Sequence, residues 1–381
     1  MGARHSRFAV PGSADSRLYL ANLMDMSAQL RVVLDHAVSP ADRDVVDASR
    51  SLLRGLVLTA PAGCEVATIT PAQADPTNLP GIVHEQRLKL ARRELALAWQ
   101  LGVASGAGKG MVHAASLMAP LVRHDRVHDN DQTVVTLWDL NAWTAPHRLT
   151  KTEVGWQRAM LRRAVKHADA VVVPSHATAV RVKEFAALGD RIRVIAGAAP
   201  EGFAVPTDAE LYRADELIPD EYVVIVGENP VEAFRAAARA GLHAVVLDAT
   251  DGDEPRIVDV AASAGLPERH VHVRGRLKRE TRASVIAGAM VVVSTDTHIA
   301  WPWRVVEAMT LGVPVVAVES GVHRDVIADG GVVVEADGLV DAITGVLGDG
   351  ARRAGVLAGD RGRAFSWTSS AERIWALHAE L

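Results

Sequence analysis

The stretch that decides the fold runs Trp301-Pro-Trp-Arg-Val-Val-Glu-Ala-Met-Thr-Leu-Gly-Val-Pro-Val-Val-Ala-Val318. It predicts a short helix, carrying Glu307, directly before a buried strand, with two tryptophans and Arg304 on the approach. A helix N-terminus offers free backbone N–H groups and a positive dipole end, which suits phosphate. A plain β-α-β segment explains the same residues, because open α/β sheets serve many unrelated functions.

Composition bounds the class of protein. The chain has 381 residues, of which 49% are hydrophobic and 23% charged, so it is long enough for two domains with full cores. Its net charge of −5 argues against a general nucleic-acid binder, which would normally be basic. Cys64 is the only cysteine, which excludes an internal disulfide and a thiolate metal cluster and fits the reducing cytoplasm.

Targeting and membrane signals are weak. Residues Met1 to Ala28 lack an apolar core of signal-peptide length, and no apolar run reaches the ~20 residues that span a bilayer. We expect a soluble cytoplasmic protein, and peripheral contact with the inner face of the membrane stays open. A basic stripe could serve such contact, although a solvated helix face explains it better; it comprises Arg87, Lys89, Arg92 and Arg93. The fifteen histidines are scattered, and His270 and His272 have no zinc spacing, so we expect no metal.

Short Val- and Ile-rich runs alternate with helical patterns along the chain. Continuous apolar runs such as Ala170–Val173 are typical of parallel strands that are covered on both faces. The predicted strands are Leu30–Asp35, Cys64–Thr70, Met111–Ala114, Thr133–Asp139, Ala168–Ser175, Arg191–Gly197, Tyr222–Gly227, His243–Ala249, Val271–Gly275, Met290–Thr295, Val313–Val318 and Gly331–Glu335.

Helices and breaks complete the prediction. Leu88, Ala91, Leu95 and Ala98 form an apolar stripe of helical period, with Glu85 placed to pair with Lys89 on the same helix. Pro200, Gly202 and Pro206 mark a break, so we place the domain boundary at residue 205. The predicted domains are residues 1–205 and 206–368, and a final helix, 369–381, is expected to pack back on the first domain.

Two parallel α/β domains imply a cleft, and ligands in such sheets bind beyond the carboxyl ends of the strands. Four of the eight tryptophans follow predicted strands, namely Trp138, Trp143, Trp301 and Trp303. Aromatic faces stack on sugars and bases, whereas core packing is the alternative explanation for each.

Charged residues follow several of the same strands. Arg274, Arg276 and Arg304 would add positive charge to the rim of the second domain, where arginine can bind a diphosphate bidentately. Surface ion pairing is the alternative. Ser175 is a good N-cap for the next helix.

Two blocks of sequence resemble a known family. The first runs Thr133-Val-Val-Thr-Leu-Trp-Asp-Leu140, then Leu161-Arg-Arg-Ala-Val-Lys-His-Ala-Asp-Ala-Val-Val-Val-Pro-Ser175 and Gly189-Asp-Arg-Ile-Arg-Val-Ile195. The second is residues 301–318 together with Ser320-Gly-Val-His-Arg-Asp-Val-Ile327. From about Leu30 to its end, the chain resembles the GT-B glycosyltransferases of the large retaining group called family 4.

The resemblance implies an α/β GT-B fold, in which two Rossmann-like parallel-sheet domains face a central cleft. It implies that the first domain binds an acceptor and that the second binds a nucleotide diphosphate sugar, with no metal or other cofactor. Glu307 matches the second glutamate of the family's paired-glutamate motif, which holds the donor ribose. The expected reaction moves a hexose, mannose being our guess, to a glycan or lipid-linked acceptor hydroxyl with retention.

The site expected from the resemblance has three parts. The catalytic residues are Asp139, Trp138 and Arg304. The donor-binding residues are Glu307, Gly227, Glu228, Arg274, Arg276, His298, Trp301 and Trp303. The acceptor-side residues are His113, Asn141, Trp143, Ser175 and His176.

The chain departs from the family pattern at four charge-handling positions. Ile299 replaces the first glutamate, Trp138 replaces a histidine before Asp139, and the turn after the first strand reads His36-Ala-Val-Ser-Pro40 without the usual glycines. The loop after Gly227 has no basic residue before Arg235, so Arg274, Arg276 or Arg304 must stabilise the leaving diphosphate.

These departures keep other functions open. The chief alternative is a catalytically impaired protein that acts as partner or regulator of an active glycosyltransferase. A nucleotide-sugar epimerase or a phosphorylase is a further one, although Lys278 is the only lysine of the second domain and pyridoxal phosphate would need one. The absence of G-x-G-x-x-G after any predicted strand argues against a dinucleotide dehydrogenase.

Overall fold

The computed structural model describes residues 28–34, 43–75, 77–107, 109–125, 131–348 and 350–381. Two of the sequence predictions therefore lie outside the described residues, namely the polar segment before Ala28 and the turn His36–Pro40. Among the described residues, no helix is both long and apolar enough to cross a membrane.

The first domain is built on a seven-stranded parallel sheet. Its strands are β1 Ala28–Val33, β2 Cys64–Thr70, β3 Ile82–Arg87, β4 Met111–Ala114, β5 Gln132–Thr136, β6 Ala170–Val173 and β7 Ile192–Val194. Their order is β3-β2-β1-β4-β5-β6-β7. The helices are α1 Arg43–Leu58, α2 Arg92–Leu101, α3 Asn141–Thr144, α4 Lys151–His167 and α5 His176–Val182.

Strand β3 is absent from the sequence prediction. It forms the edge of the sheet and pairs with β2, and most of its side chains are polar and partly exposed. The predicted helix over Glu85 and Lys89 was therefore wrong in its start, because Glu85 lies in β3 and α2 begins at Arg92. Glu85 accepts a hydrogen bond from the Thr77 N–H at 2.8 Å instead. Arg87 also lies in β3, so the basic stripe does not share one helix face.

The second domain is built on a six-stranded parallel sheet, and all six strands were predicted. They are β8 Tyr222–Val226, β9 His243–Val246, β10 Val271–Val273, β11 Val291–Ser294, β12 Val315–Val318 and β13 Val332–Val334, in the order β10-β9-β8-β11-β12-β13. The helices are α6 Ala209–Asp215, α7 Val231–Ala240, α8 Glu254–Ser263, α9 Arg279–Ala287, α10 Trp303–Thr310, α11 Gly321–Ile327, α12 Leu339–Leu347 and α13 Ala351–Gly362. The α/β prediction of two parallel sheets is confirmed.

The last helix, α14 Trp367–Glu380, returns to the first domain. Ser366 caps it by accepting a hydrogen bond from the Ser369 N–H at 3.1 Å. Trp375 donates to the Leu56 carbonyl of α1 at 3.1 Å, and Trp367 donates to the Ala199 carbonyl at 2.8 Å. Two indole donors satisfied by buried backbone fix this helix against the first domain.

A tryptophan cluster joins the two domains. The Trp138 ring, after β5, lies 5.3 Å from the Trp303 ring and 6.0 Å from the Trp367 ring, centroid to centroid. Trp301 packs edge-on against Trp303 and Phe365 at 6.3 and 5.5 Å. Aromatic pairs at these spacings are worth about 0.5–1.5 kcal/mol beyond their buried area, so the cluster holds the domains together.

Candidate functional site between the two domains

The residues that follow the carboxyl ends of the strands meet at the junction of the two domains. Asp44, in the first turn of α1, ion-pairs with Arg276, which follows β10, and with Arg304, in the first turn of α10. Nη1 of Arg276 lies 3.0 Å from the Asp44 carboxylate, and Nη2 of Arg304 lies 3.0 Å from both of its oxygens. A carboxylate of the first domain is thus bound by two arginines of the second.

Electrostatics explain why these buried charges persist. Burial raises the pKa of Asp44, but the charges of Arg304 and Arg276 outweigh it and hold that pKa below its usual range. Burial lowers the pKa of Arg304, whereas Glu307, Asp44 and Asp248 together raise it well above the ordinary value. Asp44 and Arg304 therefore stay charged at neutral pH.

Glu307 lies behind this cluster. Its side chain is 1% exposed and accepts hydrogen bonds from Nε and Nη2 of Arg282 at 2.9–3.1 Å. Arg304 lies 2.9 Å away as an ion-pair partner, without the angle of a hydrogen bond. In this structure Glu307 positions two arginines and lines none of the cavities described below; its contact with a donor ribose stays a prediction.

A second set of ion pairs crosses the junction. Arg148 of the first domain contacts Glu228, which follows β8, at 2.7 Å and Asp296, which follows β11, at 2.8 Å. The hydrogen bond that Arg148 donates to Glu228 lowers the pKa of Glu228 to about 2. Gly227 has φ +99°, and a Cβ there would lie 2.6 Å from the Asp296 nitrogen. The backbone can therefore pass this close to Asp296 only with glycine at position 227. The predicted donor residues Gly227 and Glu228 thus lie at the junction, where Gly227 passes close to Asp296 and Glu228 pairs with Arg148.

The four predicted tryptophans all pack against protein groups. Trp301 is 1% exposed and lies in the interdomain core, and Trp303 is half-buried beside Trp138. Trp138 donates to the Ala115 carbonyl at 3.0 Å, although it also borders a cavity described below. Trp143 stacks on Phe185 at 5.8 Å within the first domain.

Three other predicted residues have partners within the protein. Arg274 contacts Glu216 of its own domain at 3.1 Å. His113 is wholly buried, shares a 3.2 Å hydrogen bond with Thr136, and has a pKa that burial holds well below its usual value. Ser175 caps α5, as predicted, by accepting from the Thr178 N–H at 3.1 Å.

Three predicted residues remain accessible or near a cavity. His176 and His298 line a cavity of about 440 Å³ between the domains, beside Ile299. Asn141, in α3, donates its backbone N–H to Asp139 at 2.9 Å and so orients that carboxylate.

A larger space between the domains, which we call the interdomain cavity, has a volume of about 770 Å³. Its basic lining residues are Arg43, Arg50, Arg54, Arg276, Lys278, Arg279 and Arg282, and its acidic ones are Asp47, Glu201 and Glu280. Seven cations and three anions line it, and two of the cations, Arg276 and Arg282, are paired with Asp44 and Glu307 behind the lining. An excess of two cations remains, in a chain whose net charge is −5. Such a cavity favours a multiply charged anion.

A further space, the first-domain cavity, has a volume of about 760 Å³ and lies between α2 and α4 at the carboxyl ends of β4 and β5. Leu117, Trp138 and Asp139 border it from those strand ends. Its size is typical of small-molecule sites.

Sequence reasoning missed Asp44, Arg148, Asp248 and Arg282. None of them follows a predicted strand, and Asp248 lies inside the predicted strand His243–Ala249, although the observed strand ends at Val246. Asp44 is an acidic residue in the first turn of a helix, a common stabilising position that carries no signal of a partner on another domain.

Comparisons with known proteins agree with this geometry. The family model described as Glycosyl transferases group 1 matches residues 210–349, which contain all six strands of the second sheet. No curated protein sequence matches the chain.

Solved structures match over nearly the whole chain. Sucrose-phosphate synthase (tll1590) from Thermosynechococcus elongatus is 20% identical, with a TM-score of 0.64, over 93% of this chain and 98% of that one. Anabaena Alr3699/HepE in complex with UDP-glucose is 17% identical, with a TM-score of 0.62, over 93% and 100%. WaaG, a glycosyltransferase involved in lipopolysaccharide biosynthesis, is 15% identical, with a TM-score of 0.62, over 91% and 98%. The chain therefore has the GT-B fold of the glycosyltransferases, and its second domain carries the sequence pattern of glycosyl transferases group 1.

Proposed function

We propose that the protein is a glycosyltransferase that binds a nucleotide diphosphate sugar in the interdomain cavity and transfers the sugar to an acceptor hydroxyl. The observation that carries the proposal is the excess of cations in that cavity, at the junction where both sheets end. The similarity of the fold to Alr3699/HepE, which was solved with UDP-glucose, supports a nucleotide-sugar donor.

The chemistry needs positive charge more than a base. The bond between the anomeric carbon and the diphosphate oxygen breaks, a bond from that carbon to the acceptor oxygen forms, and the hydroxyl proton leaves with the diphosphate. Negative charge grows on the diphosphate as it departs, and preorganised arginines stabilise such charge. Arg282 borders the cavity and is held in place by Glu307, and Arg276 borders it as a partner of Asp44, whose place a diphosphate would take.

The finer features of the reaction follow from the sequence resemblance. We propose that the sugar is a hexose, mannose in the first instance, that its configuration is retained, and that the reaction takes place in the cytoplasm without a metal. Asp139, which borders the first-domain cavity and is oriented by Asn141, would accept a hydrogen bond from the acceptor hydroxyl.

The test is a thermal-shift titration with UDP-, GDP- and ADP-sugars, followed by a product assay. Arg43 and Arg50 are exposed cavity residues that make no ion pair with another described residue, so Arg43→Gln with Arg50→Gln should keep the fold and weaken binding. Lys166→Gln with Lys183→Gln, an equal charge change away from every cavity described above, is the control. If no nucleotide sugar raises the melting temperature, the proposal is wrong.

A second candidate is a non-catalytic partner or regulator of an active glycosyltransferase. It is favoured by the ion pairs that fill the junction with protein groups and by Ile299 where the family has a carboxylate. Turnover by the purified protein, compared with turnover when a transferase is added, separates the two. Activity of the purified protein alone rejects this candidate.

A further inference from the structure

The first-domain cavity carries positive charge that no described residue neutralises. Arg93, Lys151 and Arg162 line it with exposed side chains, and none of the three makes an ion pair or side-chain hydrogen bond with any described residue. The two carboxylates of the cavity are engaged: Asp139 accepts from the Asn141 N–H, and Glu153 accepts from Thr150 in the capping box of α4. The arginines at the domain junction, by contrast, are paired. An anionic ligand would complete this site.

The same cavity has an apolar side. Leu97 of α2 lines it and is 56% exposed, and Trp156 and Leu149 border it from the start of α4. Trp156 donates to the Ala96 carbonyl at 3.3 Å, which fixes α4 against α2. Gly155 faces open space where another residue would place a side chain. The walls are therefore preformed. A hydrocarbon group that packed against them would be transferred out of water, which is favourable.

The cavity therefore offers an exposed apolar wall beside cations that no described residue pairs. The occupant thus needs an apolar body and an anionic group.

We infer that the first-domain cavity binds an amphiphilic phosphate monoester, and that this is the acceptor class of the proposed glycosyl transfer. Three unpaired cations match a phosphate monoester, which carries close to two charges at pH 7, better than a single carboxylate. Two of the cations are arginines, which bind phosphate oxygens bidentately. The inference rests on the proposed function for its role as acceptor, but not for the binding itself.

The test uses the full chain, without donor, in calorimetric titrations with decyl phosphate, decyl maltoside and inorganic phosphate below micellar concentrations. Decyl phosphate is expected to bind, and each of the other two, which lacks either the anion or the alkyl chain, is expected to bind about tenfold more weakly or worse. Equal binding of decyl phosphate and decyl maltoside would overturn the role of charge.

The matched variants locate the site. Arg93→Gln with Lys151→Gln and Arg162→Gln should weaken decyl phosphate binding about tenfold, since three exposed ion pairs worth about 0.5 kcal/mol each contribute about 1.5 kcal/mol together. The control removes three exposed cations elsewhere through Lys166→Gln, Lys183→Gln and Arg353→Gln, and should leave affinity unchanged. Equal loss in both triple variants, or no loss in either, overturns the inference.

The two proposals fail separately. A protein that binds nucleotide sugars but not decyl phosphate retains the proposed function and refutes the acceptor class. A protein that binds decyl phosphate through the three cations, but no nucleotide sugar, supports the site and refutes its part in glycosyl transfer.

Discussion

Replacing Glu307 by glutamine should destabilise the second domain strongly, because Glu307 is the only carboxylate that Arg282 contacts among the described residues. The two side chains are 1% and 3% exposed, and three hydrogen bonds of 2.9–3.1 Å join them. Removing one member of a buried ion pair leaves an uncompensated charge and costs about 3–5 kcal/mol. Arg304 would lose less, since Asp44 and Asp248 also neutralise it.

Urea unfolding and thermal melting followed by tryptophan fluorescence measure this loss. A cost of that size corresponds to a fall in melting temperature of roughly 10 °C for a domain of this length. Asp341→Asn is the matched control: its partner Arg239 lies 3.3 Å away, and both side chains are more than 60% exposed. Exposed pairs contribute about 0–1 kcal/mol, so the control should barely move the melting temperature.

A double variant sharpens the test of Glu307. Adding Arg282→Met removes the stranded charge, so the double variant should be less destabilised than the sum of the two single changes. If Glu307→Gln costs less than about 1 kcal/mol, or if the two changes add, Arg282 and Glu307 do not form the buried structural pair described above. Glu307 would then be free to serve a ligand.

Three further outcomes are expected. Burial lowers the pKa of His378 to about 4, below the ordinary value of about 6.5. Between about pH 4 and pH 6.5 the unfolded chain therefore binds more protons at this histidine than the folded chain does. Stability should therefore fall by about 3 kcal/mol as the pH decreases from 6.5 to 4, because the unfolded chain binds the proton that the buried histidine does not; His378→Asn should flatten urea midpoints measured over that range. Asp44→Asn should raise affinity for nucleoside diphosphates about tenfold by releasing Arg276 and Arg304 from an internal anion, and titration calorimetry that shows weaker binding would refute this. Gly155→Ala, with open space on α4, should stabilise the protein by about 0.5–1 kcal/mol in urea unfolding, whereas Gly362→Ala, whose Cβ would lie 2.5 Å from the Met309 carbonyl, should destabilise it by about 1–3 kcal/mol.

Much of the fold was predictable because buried parallel strands leave continuous apolar runs. Strands Tyr222–Val226 and Val291–Ser294 are wholly buried, and both consist almost entirely of consecutive apolar residues. Strand Ile82–Arg87 was not predictable in this way, since an edge strand needs no apolar run and its polar residues imitate a helix face.

The site was predictable only in part, because a sequence shows charges but not their partners. Arg276 and Arg304 were identified from their positions after strands, yet their common partner Asp44 is 232 and 260 residues away. Trp138 and Trp301 were expected at the cleft and are there, but packed against protein. Only the folded chain shows that these charged residues of the junction are paired with one another.

The filled junction bears directly on how a donor would bind. A nucleotide diphosphate that reached Arg276 and Arg304 would replace the Asp44 carboxylate, so one anion would exchange for another and the arginines would not lose a partner. Arg148 is different, because it joins two carboxylates, Glu228 and Asp296, across the domains, and its withdrawal would leave both without this cation. Parting these partly buried pairs would cost about 1 kcal/mol each, out of the roughly 8 kcal/mol of micromolar binding. The balance favours a donor that enters beside Asp44, through the basic interdomain cavity, while the Arg148 contacts keep the two domains joined.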